Sequence, residues 1–440
     1  MDQSADKASD NTRKSDKHTG KRRVKAKSGV RLPAKWLYRP VVFLLQLPLR
    51  LILGVRVIRE PEIRKIKGPV IILGNHPSYI DPFLAAIALP WLDINFVAAS
   101  LFFRNKKLKI ILEKAGAIPK TQFRSDAAAL KQMLQVLKMD GALGIFPEGQ
   151  RSTDGTRSPM DDTIARLIKK TGCNVINVKI SGAYLTWPRW SGNGFRPGRI
   201  EIRTELLLTQ AQIASYNADQ ISKTIHQALD FDDYAWQSNR SKPASYLSRR
   251  PAENMHNICH QCPACGKRMV MCSDRNRLYC SACGAEWTVD RHGFLTNTHV
   301  GDQEPSAKKE QMALSAFTDV HVWRDWQRSQ LAAELQSTDF SLTYQTKTET
   351  AGTSGAFVQN GEGQLKLDRT GLRYQGRSLA GDEVTYFSPA GRTARFSANY
   401  GLNLEIPLDH GAFRFTPEKG QAVILLADAL ALLDNAGGEQ

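Results

Sequence analysis

Short apolar runs and amphipathic stretches alternate along residues 61–236, with the lengths expected of strands and helices. The predicted strands are 70–73, 94–98, 142–146, 175–180 and 199–206. The predicted helices are 82–89, 104–114, 125–139, 159–170 and 211–229. This alternation predicts an α/β layer fold in which helices flank a mixed, partly parallel sheet.

The hydrophobic period changes near the end of the chain, where short segments alternate between apolar and polar positions. These strand-like segments are 365–367, 372–374, 384–387, 393–396, 402–406 and 412–415. Thr416 and Pro417 then predict the start of a terminal helix, because Thr caps helices and Pro favours the first helical position. Residues 363–440 are therefore predicted to form a small β-rich domain. Its order of elements is similar to that of a pleckstrin-homology domain, and the alternative is a small β domain used for assembly.

Two regions between these parts have no clear period. Residues 237–258 are predicted to be a linker between domains. Residues 296–362 predict a helical segment followed by a loop, because 345–362 are rich in Thr, Gly, Ser and Gln.

Positive charge is concentrated at the N-terminus. The chain has 60 Lys or Arg against 43 Asp or Glu, and residues 1–60 hold 15 against 5. Residues 1–33 are predicted to be a disordered basic tail. They lack the apolar core of a secretory signal, so we expect the chain in a reducing cytosol. A basic leader favours an anionic partner, either a membrane surface or a nucleic acid.

Residues 34–60 contain the most apolar stretch of the chain, but charged residues interrupt it. Its longest run without charge, 40–49, is about half the roughly 20 residues that a spanning helix needs. One narrow face of the predicted helix carries Lys35, Arg39, Gln46 and Arg50. This pattern predicts a helix lying in a membrane surface, on the cytoplasmic face. The alternatives are a buried helix of a soluble domain and a spanning helix.

The first motif with catalytic chemistry is N-H-P-S-Y-I-D at 75–81, directly after the strand predicted at 70–73. A His at the carboxyl end of a strand lies where open α/β sheets place their ligands. The turn can return the carboxylate of Asp81 to one ring nitrogen of His76. The other nitrogen is then free to take a proton from a hydroxyl. The motif predicts a catalytic pair, and the alternative is a loop His beside a capping Asp.

The second motif is F-P-E-G-Q-R-S at 146–152, again directly after a predicted strand. Gly149 permits an unusual backbone angle or a close approach of the backbone. The guanidinium of Arg151 offers a planar fork for a phosphate. Glu148 has a carboxylate that can accept hydrogen bonds from a polyol or steady a basic neighbour. The motif predicts a substrate-binding turn, and the alternative is a plain turn with a solvated Arg.

Together the two motifs resemble sequence blocks of the glycerolipid acyltransferase family, whose type members acylate 1-acylglycerol-3-phosphate to phosphatidate. The N-H-x4-D block is complete, and the F-P-E-G-T-R-S block has Gln150 in place of Thr. A looser match to a further block places Arg124 after Gly116. The resemblance covers about residues 40–235.

The resemblance implies an O-acyltransferase in which His76 is the general base and Asp81 orients it. The substrate-binding residues that it implies are Arg124, Glu148, Gly149 and Arg151. The hydroxyl of a lysophospholipid, 1-acylglycerol-3-phosphate in the first instance, would attack the thioester of acyl-CoA or acyl carrier protein. The alternatives are another lysolipid or glycerol-3-phosphate as acceptor, and an inactive scaffold that binds lipid.

Six of the seven Cys lie between 259 and 283, and four of them form two C-x-x-C-G turns. The predicted metal ligands are Cys262, Cys265, Cys280 and Cys283. Four thiolates suit tetrahedral Zn²⁺ and leave no position for water, which predicts a structural ion. Residues 259–295 resemble a zinc ribbon, separate from the catalytic domain. His260 is expected in solvent.

The rival to an enzyme is a nucleic-acid-binding protein that uses the basic tail and the ribbon. Its stacking platforms would be aromatic residues interleaved with the basic run. Trp36, Tyr38 and Phe43 instead lie in the apolar segment. We therefore do not expect a nucleic acid as partner.

Overall fold

Three sheets follow one another along the chain. The computed structural model describes residues 29–121, 126–160, 162–192, 194–298, 313–351, 357–390, 396–408 and 411–437. Most of the predicted basic tail, 1–33, therefore lies outside the described residues.

A seven-stranded sheet organises the first half of the chain. Its strands are β1 Arg56–Arg59, β2 Val70–Gly74, β3 Ile94–Ala99, β4 Ile118–Lys120, β5 Ala142–Ile145, β6 Asn174–Ser181 and β7 Glu201–Leu208. The spatial order is β1-β7-β6-β2-β5-β3-β4. All neighbours are parallel except β6 and β7, which are antiparallel. The prediction of a mixed, partly parallel sheet is confirmed.

Helices cover both faces of this sheet. The helices described in this half of the chain are α1 Lys35–Leu53, α2 Asp81–Ala88, α3 Lys106–Lys114, α4 Ala127–Lys138, α5 Thr163–Thr171, α6 Ala183–Thr186, α7 Gln210–Ser215, α8 Ala218–Ala228 and α9 Asp233–Ser238. Ile72 of β2 packs in a cluster with Val42 and Leu84 of α1 and α2. The preceding residue, Ile71, packs with Ile168 on the other face of the sheet. The alternation of strand side chains thus supplies two cores.

A four-stranded antiparallel meander follows, made of β8 Met271–Asp274, β9 Arg277–Cys280, β10 Glu286–Val289 and β11 Leu295–Asn297. It does not have a core of its own. Cys262 and Trp287 share one apolar cluster with Tyr184 and Trp190 from the first half. The ribbon predicted as a separate module is therefore packed against the first half of the chain.

The segment predicted as a linker, 237–258, also packs into this cluster. Tyr246 is 3% exposed and donates a hydrogen bond from its hydroxyl to the carbonyl oxygen of Arg199. The side-chain amide of Gln237, fully buried, bonds both backbone groups of Ala244. The segment is irregular because its polar groups pair with other loops, but it is part of the folded body.

The third sheet is antiparallel, with spatial order β15-β14-β13-β12-β18-β17-β16. Its strands are β12 Ser341–Ala351, β13 Phe357–Asp368, β14 Gly371–Ser378, β15 Glu383–Pro389, β16 Ser397–Asn399, β17 Asn403–Leu408 and β18 Gly411–Pro417. The helix α10 Val320–Glu334 precedes the sheet, and α11 Ala422–Gly437 follows it. Leu426 and Leu430 of α11 pack on Leu365 and Phe415. The predicted β-rich region with a terminal helix is present.

Two details of this region were predicted wrongly. Most of the predicted loop, 345–362, belongs to β12 and β13, where Thr346 and Thr348 are 3% and 1% exposed. Thr is β-branched and is common in strands, and β12 pairs with a strand on each side. The polarity of the Thr residues therefore wrongly indicated a loop. Thr416 and Pro417 end β18 instead of opening a helix, because they pair with β12.

The helix predicted at 211–229 is two helices. Asn217 accepts a hydrogen bond from the backbone N–H of Gln220 and starts α8 with a capping box. The capping box therefore starts a new helix, even though the hydrophobic period continues through it. The strand predicted at 393–396 lies mostly outside the described residues.

Candidate active site

The two motifs meet at one edge of the first sheet. β2 and β5 are parallel neighbours, with Val70 opposite Ala142, so the turns that follow them emerge side by side. Asn75 is buried and exchanges two hydrogen bonds with the backbone of Ile180, which ties the first turn to β6. The backbone N–H of Ser152 donates to the carbonyl oxygen of His76 at 2.9 Å.

His76 and Asp81 form the hydrogen bond that the sequence predicted. Nδ1 of His76 lies 2.7 Å from Oδ2 of Asp81, and the same oxygen accepts the backbone N–H of Ser78 at 2.8 Å. Asp81 is fully buried and is the first residue of α2, whereas the His76 side chain is 19% exposed. The imidazole stacks on Phe146, with ring centres 4.6 Å apart. With Nδ1 engaged, Nε2 is the ring nitrogen left for another partner.

Charge and burial both keep this imidazole neutral. Burial, together with the positive charges of Arg151 and Arg189, lowers the pKa of His76 to about 3. With Nδ1 bonded to Asp81, the neutral ring has its free lone pair at Nε2, where it can accept a proton.

Glu148 joins the two turns. One carboxylate oxygen accepts the backbone N–H of His76 at 2.8 Å, and the other accepts that of Ser158 at 2.8 Å. Burial raises its pKa to about 8, while these two amide bonds oppose the rise. Because Glu148 is only 4% exposed, we expect it to hold the turns together rather than to touch a substrate. Gly149 has φ +66°, the left-handed conformation that favours glycine in such a turn.

Arg151 lies beside this pair. Its guanidinium stacks 3.3 Å from the ring centre of Tyr79, and its Nη1 is buried without a hydrogen-bond partner among the described residues. Burial and the charge of Arg189 lower the pKa of Arg151. A buried guanidinium nitrogen with no partner is a binding position for an anion.

Comparison with known proteins assigns this part of the chain to a family. A family model described as Acyltransferase matches residues 54–181. Residues 54–181 are therefore similar to an acyltransferase domain. The match includes His76, Asp81 and Arg151, and it confirms the resemblance to the glycerolipid acyltransferases.

Relatives match this domain over part of their length. A 1-acyl-sn-glycerol-3-phosphate acyltransferase of Borreliella burgdorferi is 30% identical over 118 residues, or 26% of this chain and 46% of that protein. The protein of the same name from Bacillus subtilis is 26% identical over 101 residues, or 23% of this chain and 50% of that protein. The chain therefore spans about half the length of these relatives.

A solved structure is also similar. The 1-acyl-sn-glycerophosphate acyltransferase of Thermotoga maritima aligns with a TM-score of 0.38 and 20% identity. The alignment covers 48% of this chain and 83% of that one.

The acyltransferase domain brings together most of the predicted site residues. His76, Asp81, Glu148, Gly149 and Arg151 all lie on the two adjoining turns. Arg124 lies outside the described residues, so its role stays a prediction.

Arg189 is the site residue that sequence reasoning missed. It follows the acyltransferase segment, in the loop after α6, and its charge acts on both His76 and Arg151. The local sequence at 187–190 is W-P-R-W, which is not a recognised phosphate-binding motif.

The four predicted Cys ligands lie together, beyond the acyltransferase domain. Their sulfur atoms are all within 4.8 Å of one another, with Cys262 to Cys283 at 3.7 Å and Cys265 to Cys280 at 3.8 Å. A tetrahedron with metal–sulfur distances of about 2.3 Å has edges of about 3.8 Å, so the cluster fits a metal ion.

The turns that supply these ligands depend on glycine. Gly266 and Gly284 have φ +69° and +77°, and each donates its backbone N–H to the first Cys of its turn. His260 was expected in solvent, but it is 2% exposed. It is buried because α10 packs over this turn, where Gln327 accepts the backbone N–H of Gln261.

Proposed function

We propose that the protein is an acyltransferase that moves a fatty acyl group from acyl-CoA or acyl carrier protein to the hydroxyl of a lysophospholipid. The acceptor we propose is 1-acylglycerol-3-phosphate, which gives phosphatidate. The observation that carries the proposal is the His76–Asp81 pair beside the unpartnered guanidinium nitrogen of Arg151. The names of the relatives support the same reaction.

In this proposal Nε2 of His76 takes the proton of the acceptor hydroxyl. The alkoxide oxygen forms a bond to the thioester carbonyl carbon, and the carbon–sulfur bond then breaks. The leaving thiolate takes the proton from the imidazolium, so His76 returns to its starting state. Asp81 holds Nδ1 and stabilises the transient imidazolium. Arg151 and Arg124 bind the acceptor's phosphate.

The exposed apolar face of α1 supports attachment to a membrane surface. Phe43 and Leu51 are 74% and 75% exposed, and the guanidinium of Arg39 pairs with Asp93. Among the described helices, α1 has the length and apolar content to cross a membrane. We propose that it instead lies in the cytoplasmic surface, because Arg39 and Arg50 sit within it.

The helix α3 extends this surface. None of its nine residues is buried, although it includes Leu108, Ile110 and Ile111. It also carries Lys106, Lys107, Lys109 and Lys114. The backbone N–H of Ala34 donates to the carbonyl oxygen of Lys114 at 2.9 Å, which joins α3 to the start of α1. Apolar residues ringed by Lys match the boundary between acyl chains and anionic head groups.

Zinc is the metal that we propose for the four-Cys cluster. Held by Cys262, Cys265, Cys280 and Cys283, it would link the two turns as a structural ion, with no coordination position left for water.

An assay with purified protein tests the function. Two donors would be compared, labelled acyl-CoA and acyl carrier protein loaded with the labelled acyl group. Each would be offered with 1-acylglycerol-3-phosphate, other lysophospholipids and glycerol-3-phosphate. We expect transfer to 1-acylglycerol-3-phosphate and a loss of roughly 10²–10⁴-fold in His76→Ala.

The matched control is His226→Ala, because His226 also pairs with an aspartate, Asp162, at 3.1 Å but on the surface. It should keep wild-type turnover. Full turnover in His76→Ala, at an unchanged melting temperature, would exclude the general-base role. Preference for another acceptor would replace the substrate but keep the reaction.

A further inference from the structure

Arg189 reaches the turn of Arg151 from a distant part of the chain. Its Nη1 donates to Oε1 of Gln150 at 3.3 Å and to the carbonyl oxygen of Arg151 at 3.4 Å. Its Nη2 donates to the carbonyl oxygen of Ala398 at 2.5 Å, and its guanidinium lies 4.9 Å from the ring centre of Tyr400. Arg189 therefore connects the candidate active site to the C-terminal sheet.

The two guanidinium groups at this point lack a direct carboxylate partner among the described residues. All three hydrogen bonds of Arg189 go to neutral acceptors. Within the described ranges, neither Arg189 nor Arg151 has a carboxylate at salt-bridge distance, and Nη1 of Arg151 has no partner. Two guanidinium groups that lie near each other repel until an anion lies between them. The arrangement is suited to an anion that carries more than one negative charge.

We propose that Arg189 is a second ligand of the acceptor's phosphate and that the C-terminal sheet holds it in position beside Arg151. This inference rests on the proposed acyl transfer and deepens it. A phosphate monoester offers three strong acceptor oxygens and a charge approaching −2, so two guanidinium groups bind it better than one. The pair would make the enzyme selective for phosphate-bearing acceptors over uncharged ones.

The C-terminal region secures the same turn at two further points. The hydroxyl of Thr153 lies 2.5 Å from that of Tyr400. Arg324 bonds Asp154 at 2.6 Å and Asp428 at 2.5 Å, and both carboxylates are buried. Since Thr153 and Asp154 directly follow the Arg151 motif, the position of Arg189 relative to Arg151 is set from both sides.

Selectivity between two acceptors tests the proposal. Michaelis constants would be measured for 1-acylglycerol-3-phosphate, for uncharged 1-acylglycerol and for the acyl donor. In Arg189→Ala the constant for the phosphate acceptor should rise about tenfold or more, since a charged hydrogen bond is lost. The constants for 1-acylglycerol and for the donor should stay within about twofold. Arg189→Lys should fall between wild type and Arg189→Ala, because Lys keeps the charge without the fork.

The matched control is Arg203→Ala, an arginine of β7 in the first sheet whose side chain is 64% exposed. It should leave all three constants unchanged. Tyr400→Ala should raise the constant for the phosphate acceptor more than Tyr400→Phe, because only the first removes the ring that lies beside Arg189. An equal rise for charged and uncharged acceptors in Arg189→Ala would overturn the proposal, because it would indicate a purely structural role.

A binding measurement separates this inference from the proposed function. Glycerol-3-phosphate and inorganic phosphate would be titrated while the tryptophan fluorescence of the chain, which includes Trp187 and Trp190 beside Arg189, is recorded. Weaker binding in Arg189→Ala than in Arg203→Ala supports the phosphate role even if the wild type transfers no acyl group. Equal binding in the two variants would overturn it, whatever the outcome of the transfer assay.

Discussion

The His76 site and the four-Cys cluster are both built from two tight turns, but over very different lengths of chain. The turns of the cluster are close in sequence, with Cys262 and Cys283 separated by 21 positions. Glu148 bonds the backbone of His76 across 72 positions. A local site has its geometry built into the spacing of its ligands. A site whose turns are far apart in sequence depends on the sheet that brings those turns together.

The structure adds a dependence between the two regions. Trp190, next to Arg189, packs in the same cluster as Cys262 and Cys280. The local site therefore supports the loop from which Arg189 reaches the distant one.

Removal of one cluster ligand should have the largest effect. Cys280→Ser should lose the metal, because an incomplete thiolate set forfeits a large part of a binding free energy of about 10 kcal/mol or more. Elemental analysis should find about one zinc per wild-type chain and little in the variant. The control, Cys272→Ser, lies outside the cluster and should keep the metal. Acyl transfer should fall with the zinc, and full activity without zinc would break the link between the regions.

Removal of the charge that ties the C-terminal helix to the active-site turn should destabilise the whole chain. Arg324→Met leaves Asp154 and Asp428, 4% and 3% exposed, as neighbouring buried carboxylates. We expect a loss of about 3–5 kcal/mol in the free energy of unfolding, measured by urea titration. The control, Arg250→Ala, breaks an exposed pair with Glu253 and should cost less than about 1 kcal/mol. Similar losses of unfolding free energy in both variants would contradict the role of Arg324 in joining the two carboxylates.

The pH profile of acyl transfer tests the charges around His76. Because burial and the two arginines lower its pKa to about 3 from an ordinary value of 6.5, the base stays neutral in mild acid. The acid limb of kcat/KM, which reports the free enzyme, should therefore lie well below pH 6.5. In Arg189→Ala it should move to higher pH, because one positive charge is gone. An acid limb at pH 6.5 in the wild type would contradict this environment.

The same shift has a consequence for stability. The unfolded chain binds a proton at His76 as the pH falls below 6.5, whereas the folded chain does not until about pH 3. The contribution of His76 to stability is therefore complete above pH 6.5 and is lost as the pH falls towards 3. His76→Ala should flatten that part of the stability profile.

Membrane attachment through α3 should show the smallest effect for each residue. Lys106→Ala and Lys107→Ala should each weaken binding to anionic vesicles by about 1 kcal/mol at low salt. Co-sedimentation measures this, and high salt should remove the difference. Lys131→Ala is the control, because it lies on α4, which packs on the face of the sheet opposite to α1. Equal weakening by all three would show that net charge, and not the α3 surface, decides binding.

Chemistry confined to one short segment was predictable from the sequence. The His76–Asp81 bond spans five positions and follows from one turn. The cluster ligands follow from two C-x-x-C-G repeats, because each repeat closes on its own glycine. The mixed sheet followed from alternating periods. For the pair and the cluster the decisive contacts are local, so residue order determines them, whereas for the sheet the sequence indicated only the class of fold.

Contacts between distant segments were decided by the tertiary structure. Glu148 was predicted to bind substrate, and only the structure shows that its carboxylate accepts the backbone N–H groups of His76 and Ser158. His260 was predicted to lie in solvent, but α10 packs over its turn and buries it. Arg189 had no motif to mark it, since its partners Gln150 and Ala398 are 39 and 209 positions away. A side chain's role at such a site depends on which charges and backbone groups surround it after folding, and residue order alone does not specify those neighbours.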